Sequence, residues 1–239
     1  MTNERHFDDR EALAESLAAA VARSLEQAVT ERGRASLVVS GGTTPLPFFA
    51  VLRELELPWE VVTVTLADDR WVPADHPRSN EGLVRGELLV GPAAAARFVG
   101  LVHDHAAHPT PEEGVAACEG ALREVPRPFD VVVLGMGTDG HTASLFPSAA
   151  ETPRALTDDA AGLGSPGRAT CVAVRPGGEL EPRISLTLPT LVDCQRLYLH
   201  FTGEEKWRVY RDAIGGRESL PIGEVMRRVG PRGAVYWAP

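Results

Sequence analysis

An α/β fold with a mostly parallel sheet and helices on both faces is what this sequence predicts, on two observations. Short apolar runs recur at residues 36–39, 61–66, 129–134, 170–174 and 197–201. Helical spacing fills intervening segments at 46–55, 81–89, 112–124 and 204–214. Strands that alternate with helices return parallel to one another, because each helix is a crossover covering a sheet face. In such sheets ligands bind beyond the carboxyl ends of the strands, so the loops there are where function is sought.

Taken in order, residues 9–32 place Leu13, Leu17, Val21, Leu25 and Val29 at helical spacing between charges, an amphipathic helix lying on a core. The first apolar run ends in Ser40-Gly41-Gly42-Thr43-Thr44-Pro45. Glycines allow close backbone approach, hydroxyls donate, and Pro45 suits the first turn of a following helix whose free amides favour an anion. The loop lacks the Gly-Lys-Ser/Thr ending of a Walker loop, and an ordinary glycine turn with a threonine cap is the plain alternative. The second run ends in Ala67-Asp68-Asp69-Arg70-Trp71-Val72-Pro73, followed by Ser79-Asn80-Glu81. Carboxylates and an arginine at a strand end can bind sugar hydroxyls, act as a base or hold an anion, against the alternative of a surface ion pair with a helix cap at Ser79 or Asn80.

His103-Asp104-His105-Ala106-Ala107-His108 contains metal-ligand residue types, but an exposed polar loop explains it, and no metal is expected. Residues 129–134 then run into Gly135-Met136-Gly137-Thr138-Asp139-Gly140-His141-Thr142-Ala143-Ser144-Leu145-Phe146-Pro147. Glycines permit positive φ and close ligand approach, while an imidazole suits proton transfer near neutral pH. Residues 149–168, rich in Ala, Gly, Pro and Asp, read as a long loop. Lys206, the only lysine, falls in the first turn of a helix after Gly203, where the dipole disfavours a cation unless an anion offsets it. A bound phosphate does so, and salt bridging to Glu204 or Glu205 is the alternative. Arg183, in Arg183-Ile184-Ser185-Leu186-Thr187, is a further candidate for the same pocket.

A formal charge of −9 over 239 residues, with basic residues dispersed, argues against nucleic acid or an anionic membrane as the main partner. The N-terminus lacks the basic start and apolar stretch of a signal peptide, and no apolar run reaches membrane-spanning length, so the chain reads as soluble and cytoplasmic. Cys118, Cys171 and Cys194 are widely spaced and read as reduced, partly buried thiols.

Together these loops resemble the 6-phosphogluconolactonases, within the wider group that includes glucosamine-6-phosphate isomerases/deaminases. The resemblance covers nearly the whole chain and implies a single domain over residues 1–239 with a modified Rossmann-like α/β fold. It implies hydrolysis of a sugar-phosphate lactone, 6-phospho-D-glucono-1,5-lactone, in the oxidative pentose phosphate pathway, with no cofactor. His141 is then the base that activates water, Asp139 sets its tautomer or holds the loop, Arg70 stabilises negative charge and Asp68 contacts substrate. Ser40, Gly41, Gly42, Thr43, Thr44 and Lys206, with Arg183, bind the phosphate or the substrate. The family more often has Glu where Asp69 stands, a mild chemical departure. The deaminase branch normally carries Asn-Glu-Pro just after the Asp-Gly-His core, where this chain has Leu145-Phe146-Pro147. Phenylalanine cannot transfer a proton, which favours lactone hydrolysis over isomerisation with deamination.

Two other readings compete. Gly135-x-Gly137-x-x-Gly140 matches a dinucleotide fingerprint, but that motif normally opens the first βαβ unit and is followed about 20 residues on by an acid at the end of the next strand. Here the acids are Asp158 and Asp159, in a loop with no strand before them. A non-catalytic sugar-phosphate-binding protein is the other rival, opposed by the intact His141, Asp139, Asp68 and Arg70.

Overall fold

The computed structural model describes residues 3–157, 169–217 and 219–239. Its frame is a seven-stranded parallel sheet made of β1 (Asn3–His6), β2 (Ala35–Val39), β3 (Val62–Leu66), β5 (Arg97–Val99), β6 (Phe129–Leu134), β9 (Cys194–Thr202) and β10 (Gly233–Ala238), in the order β1-β10-β9-β6-β2-β3-β5. Strands β2, β3 and β6 are buried at every position, as strands covered on two faces must be, Ser36, Thr63, Thr65 and Asp130 included. Helices flank the sheet, chiefly α1 (Arg10–Arg32), α2 (Leu46–Leu52), α3 (Asn80–Glu87), α4 (Pro111–Leu122), α7 (Glu204–Ile214) and α8 (Pro221–Val229). Among the described residues no helix is long and apolar enough to cross a membrane.

Helix α1 forms where its spacing places it. The Asp9 side chain accepts from the Ala12 amide at 2.8 Å, and Gly33, at φ 70°, closes the other end on the Val29 carbonyl. Leu13, Leu17, Val21 and Leu25 are fully buried, each stabilising by roughly 1.5–3 kcal/mol relative to exposure.

The chain steps from β2 to β3 on one side and, after β5, returns to place β6 on the other. The switch point therefore lies between β2 and β6, where the loops after their carboxyl ends diverge and leave a crevice. Ser40 and Gly135 begin those two loops.

The sequence pattern did not foresee a second, antiparallel sheet of β4 (Asp68–Arg70), β8 (Arg183–Leu186) and β7 (Cys171–Val174), in the order β4-β8-β7. The run at 170–174 belongs there and not in the parallel sheet. Ala67 links the sheets: its amide donates to Val39 O at 2.9 Å and its carbonyl accepts from the Leu186 amide at 2.9 Å. The strands β1, β5 and β10 and helix α8 also lay outside the predicted elements. Residues 152–155 of the predicted loop form a short helix, α5 (Thr152–Ala155), and 158–168 lie outside the described residues.

Candidate active site

Pairing in the second sheet decides which of the Asp68-Asp69-Arg70 side chains face the crevice. Alternation sends Asp68 and Arg70 to one face and Asp69 to the other, and the register sets Arg70 opposite Arg183 and Asp68 opposite Ser185. Arg183 thus reaches the same face from more than a hundred residues away, with Nη1 3.8 Å from Asp68 Oδ2. Ser144 fastens the loop after His141 to this sheet: its hydroxyl donates to Asp68 at 2.5 Å and its amide to Ser185 Oγ at 3.2 Å.

Asp69, on the reverse face, is fully buried and accepts from the amides of Arg70 (2.8 Å), Asn80 (2.7 Å) and Glu81 (3.0 Å). Burial lifts its carboxyl to about 6 against those amides, which favour the ionised form, so it is an anion at neutral pH. It ties β4 to the start of α3, where Ser79 is the cap and accepts from the Gly82 amide. Asn80, unassigned from sequence, bridges the parts: its amide donates to Asp68 O at 2.8 Å and its carbonyl accepts from Arg70 at 2.9 Å. A Cβ on Gly41 would fall 2.0 Å from Asn80 Oδ1, which explains that glycine by close approach.

The turn after β6 is built around His141. Gly137 N–H donates to His141 O at 2.9 Å, and Gly140, at φ 78°, donates to Gly137 O at 3.1 Å. Asp139 Oδ1 lies 2.5 Å from His141 Nδ1 and accepts from the His141 amide at 3.1 Å. Burial raises the Asp139 carboxyl, but the His141 hydrogen bond and charge outweigh it and hold the group below its ordinary value. An ionised Asp139 makes Nδ1–H the donor and leaves Nε2 as the free acceptor. A Cβ on Gly137 would sit 2.2 Å from His141 Cε1, so the imidazole occupies the space that a side chain there would take.

Phe146 lies under this pair. Its ring centroid is 4.4 Å from that of His141, and the Arg183 guanidinium sits 5.2 Å from the same ring.

These parts face one cavity of about 250 Å³, lined among others by Ser40, Gly41, Gly42, Thr44, Asp68, Arg70, His141, Arg183 and Lys206. Thr43 is exposed and lies outside the lining. Pro45 precedes α2 as its N-cap, and α2 spans only seven residues. Lys206 stands in the first turn of α7 as expected, with burial, then Arg10, pushing its pKa down. His200 was missed altogether, although a lone polar residue inside the apolar run 197–201 was a usable signal.

Elsewhere, the 103–108 loop exposes Asp104, Ala106 and Ala107 and half-buries its three histidines. His103 Nε2 lies 2.9 Å from Gly100 O and His105 Nε2 3.2 Å from Trp71 O, so both rings fasten the loop to backbone. The cysteines are free and fully packed away, and burial pushes the Cys194 thiol up to about 12. The dinucleotide reading fails on local structure: among the described residues no helix begins until Thr152, so Gly135–Gly140 presents no helix N-terminus to a pyrophosphate. Asp158 and Asp159 lie outside the described residues.

Residues 8–237 match the family described as glucosamine-6-phosphate isomerases/6-phosphogluconolactonase. This chain belongs to that family. It is 44% identical over 234 residues to a 6-phosphogluconolactonase of Mesorhizobium japonicum, covering 98% of this chain and 94% of the relative. A second relative, from Rhizobium meliloti, is 43% identical over 235 residues, 98% of this chain and 97% of its own. The crystal structure of a 6-phosphogluconolactonase from Shewanella baltica superposes with a TM-score of 0.91 at 42% identity, covering 100% of this chain and 98% of the other. The fold class expected from the sequence, an α/β domain with a mostly parallel sheet, agrees with these structures.

Proposed function

We propose that this protein hydrolyses 6-phospho-D-glucono-1,5-lactone to 6-phosphogluconate in the oxidative pentose phosphate pathway, with His141 as general base. The observation that carries the base assignment is the pairing of Nδ1 with Asp139 at 2.5 Å, which leaves Nε2 free beside the cavity. The backbone of Ser40, Gly41, Gly42 and Thr44, with Lys206, holds the substrate phosphate and brings the lactone carbonyl to His141. Nε2 takes a proton from water as the water oxygen bonds to C1. The tetrahedral oxyanion then collapses, the ring C–O bond breaks, and the imidazolium returns its proton to the departing oxygen. Arg70 and Arg183 balance the oxyanion, and Asp68, anchored by Ser144, orients Arg183 and the sugar hydroxyls. General-base assistance of about 10²–10⁴-fold and an oxyanion donor worth about 10²–10³-fold suit an activated ester. Water is the nucleophile and the substrate supplies the leaving group, so the reaction as written needs no metal or organic cofactor. The reading takes the protein as a cytoplasmic enzyme acting on a small molecule.

Phe146 supports hydrolysis over isomerisation with deamination. It packs against the His141 ring at the sequence position where the deaminase branch carries its acid, and it has no proton to give. A stopped assay with freshly generated 6-phosphogluconolactone, run beside glucosamine 6-phosphate, tests the reading. Turnover of the lactone above its spontaneous rate and none of the amino sugar is expected; the reverse preference overturns it.

A further inference from the structure

We infer that His200 is a phosphate-binding residue, a neutral imidazole that donates a hydrogen bond to the substrate phosphate between the glycine loop and Lys206. The inference rests on the proposed placement of the phosphate at that loop and Lys206.

His200 lies near the end of β9, two residues before the strand gives way at Thr202 to Gly203 and α7. It lines the same cavity as Ser40, Gly42, Thr44 and Lys206. It is 5% exposed, and its ring nitrogens are not among the side-chain atoms sealed off without a partner, as fits a ring that opens onto the cavity. The site therefore retains a polar group where the strand pattern calls for an apolar one.

Its neighbours identify what that group meets. On one side is α2, which follows the glycine loop, with the Phe48 ring edge-on at 6.4 Å. On the other is Lys206, close enough for its charge to act on the ring. Burial, reinforced by Lys206, pushes His200 down to about 4, so the imidazole is neutral at physiological pH and carries a single N–H. A second cation beside Lys206 would be repelled whenever the cavity is empty, and a carboxylate would repel the phosphate. A neutral donor avoids both penalties, and phosphate oxygens accept only. Phosphate is the part of the substrate whose charge also relieves the half-buried Lys206, which places His200 at that end and not at the lactone carbonyl.

The test uses His200→Phe, His200→Gln and Lys206→Met, measuring kcat and KM for the lactone and competitive inhibition by inorganic phosphate and by 6-phosphogluconate. His200→Phe is expected to raise KM and both inhibition constants about tenfold with kcat within about threefold, the loss of one hydrogen bond to a charged group. His200→Gln, which keeps an N–H donor, is expected to restore most of the affinity. In the wild-type protein, the ring nitrogen resonances of His200 are expected to shift on addition of inorganic phosphate, a readout that does not depend on the variants folding. Unchanged KM, inhibition constants and ring resonances, with Lys206→Met still weakening phosphate binding, overturn the role of His200 alone. Phosphate inhibition unaffected by Lys206→Met overturns the phosphate placement, and this inference with it.

Discussion

Replacing Gly137 with alanine isolates the geometry of the base from its chemistry. The added Cβ would fall 2.2 Å from His141 Cε1, 2.3 Å from Nδ1 and 2.7 Å from Asp139 Oδ1, where ordinary contact begins near 3.4 Å. Gly137 has no positive φ, so alanine fits the backbone and the ring must give way. To clear the methyl group the imidazole must retreat by roughly 1 Å, and a displacement of that size at a reacting group costs about 10²-fold in rate. Because Phe146 packs on the imidazole, the retreat is a change of position and not a simple rotation in open space. The expected outcome is a kcat near one hundredth of wild type with KM within about threefold, since Ser40, Gly42, Thr44 and Lys206 are untouched. Initial rates on freshly generated lactone, corrected for spontaneous hydrolysis, measure it, with a melting curve as control. A kcat within threefold of wild type in a folded variant refutes the link between this glycine and the placement of His141.

Asp139→Asn keeps an acceptor for Nδ1–H but replaces a charge-assisted bond by a neutral one, a difference of about 1–1.5 kcal/mol when the imidazolium forms. Asp139 is 50% and His141 30% exposed, so water screens the pair, and kcat is expected to fall about tenfold. A loss beyond about 10³-fold, or none, contradicts an orienting role. Stability should depend on pH through His200, whose folded pKa of about 4 lies below the 6.5 of an unperturbed histidine. The contribution is fully present above pH 6.5 and is lost as pH falls through 4, a change of up to about 3 kcal/mol. Denaturant unfolding of wild type and His200→Phe across pH 4–7 measures it: the variant's curve should be flatter, and parallel curves contradict the assignment.

Much of the site was legible because its parts are local words. Ser40, Gly41, Gly42, Thr44, Asp68, Arg70, His141 and Lys206 lie in loops after strands or at a helix start, and the carboxyl-end rule gathers them at the crevice between β2 and β6. Information carried by pairing was hidden. Asp68 and Asp69 are chemically identical in sequence, and only the register against β8 turns one toward the cavity and the other under α3. The second sheet escaped notice because β4 has three residues and β8 four, too short for alternation to register as a pattern. Strands β1 and β10 lay in stretches with no helical pattern to set them off. His200 was read as part of an apolar run, since periodicity counts faces and does not ask what a single polar residue in a buried strand is for. The sequence expectation that three glycines shape a turn, and do not cradle a nucleotide, agrees with the contacts at Gly137 and Gly140.

The central claim is that His141 activates water, and His141→Ala tests it most directly. Turnover of 6-phosphogluconolactone, measured after subtracting spontaneous hydrolysis, is expected to fall by roughly 10²-fold or more while affinity for 6-phosphogluconate stays within about threefold. Wild-type turnover in that variant would contradict the account.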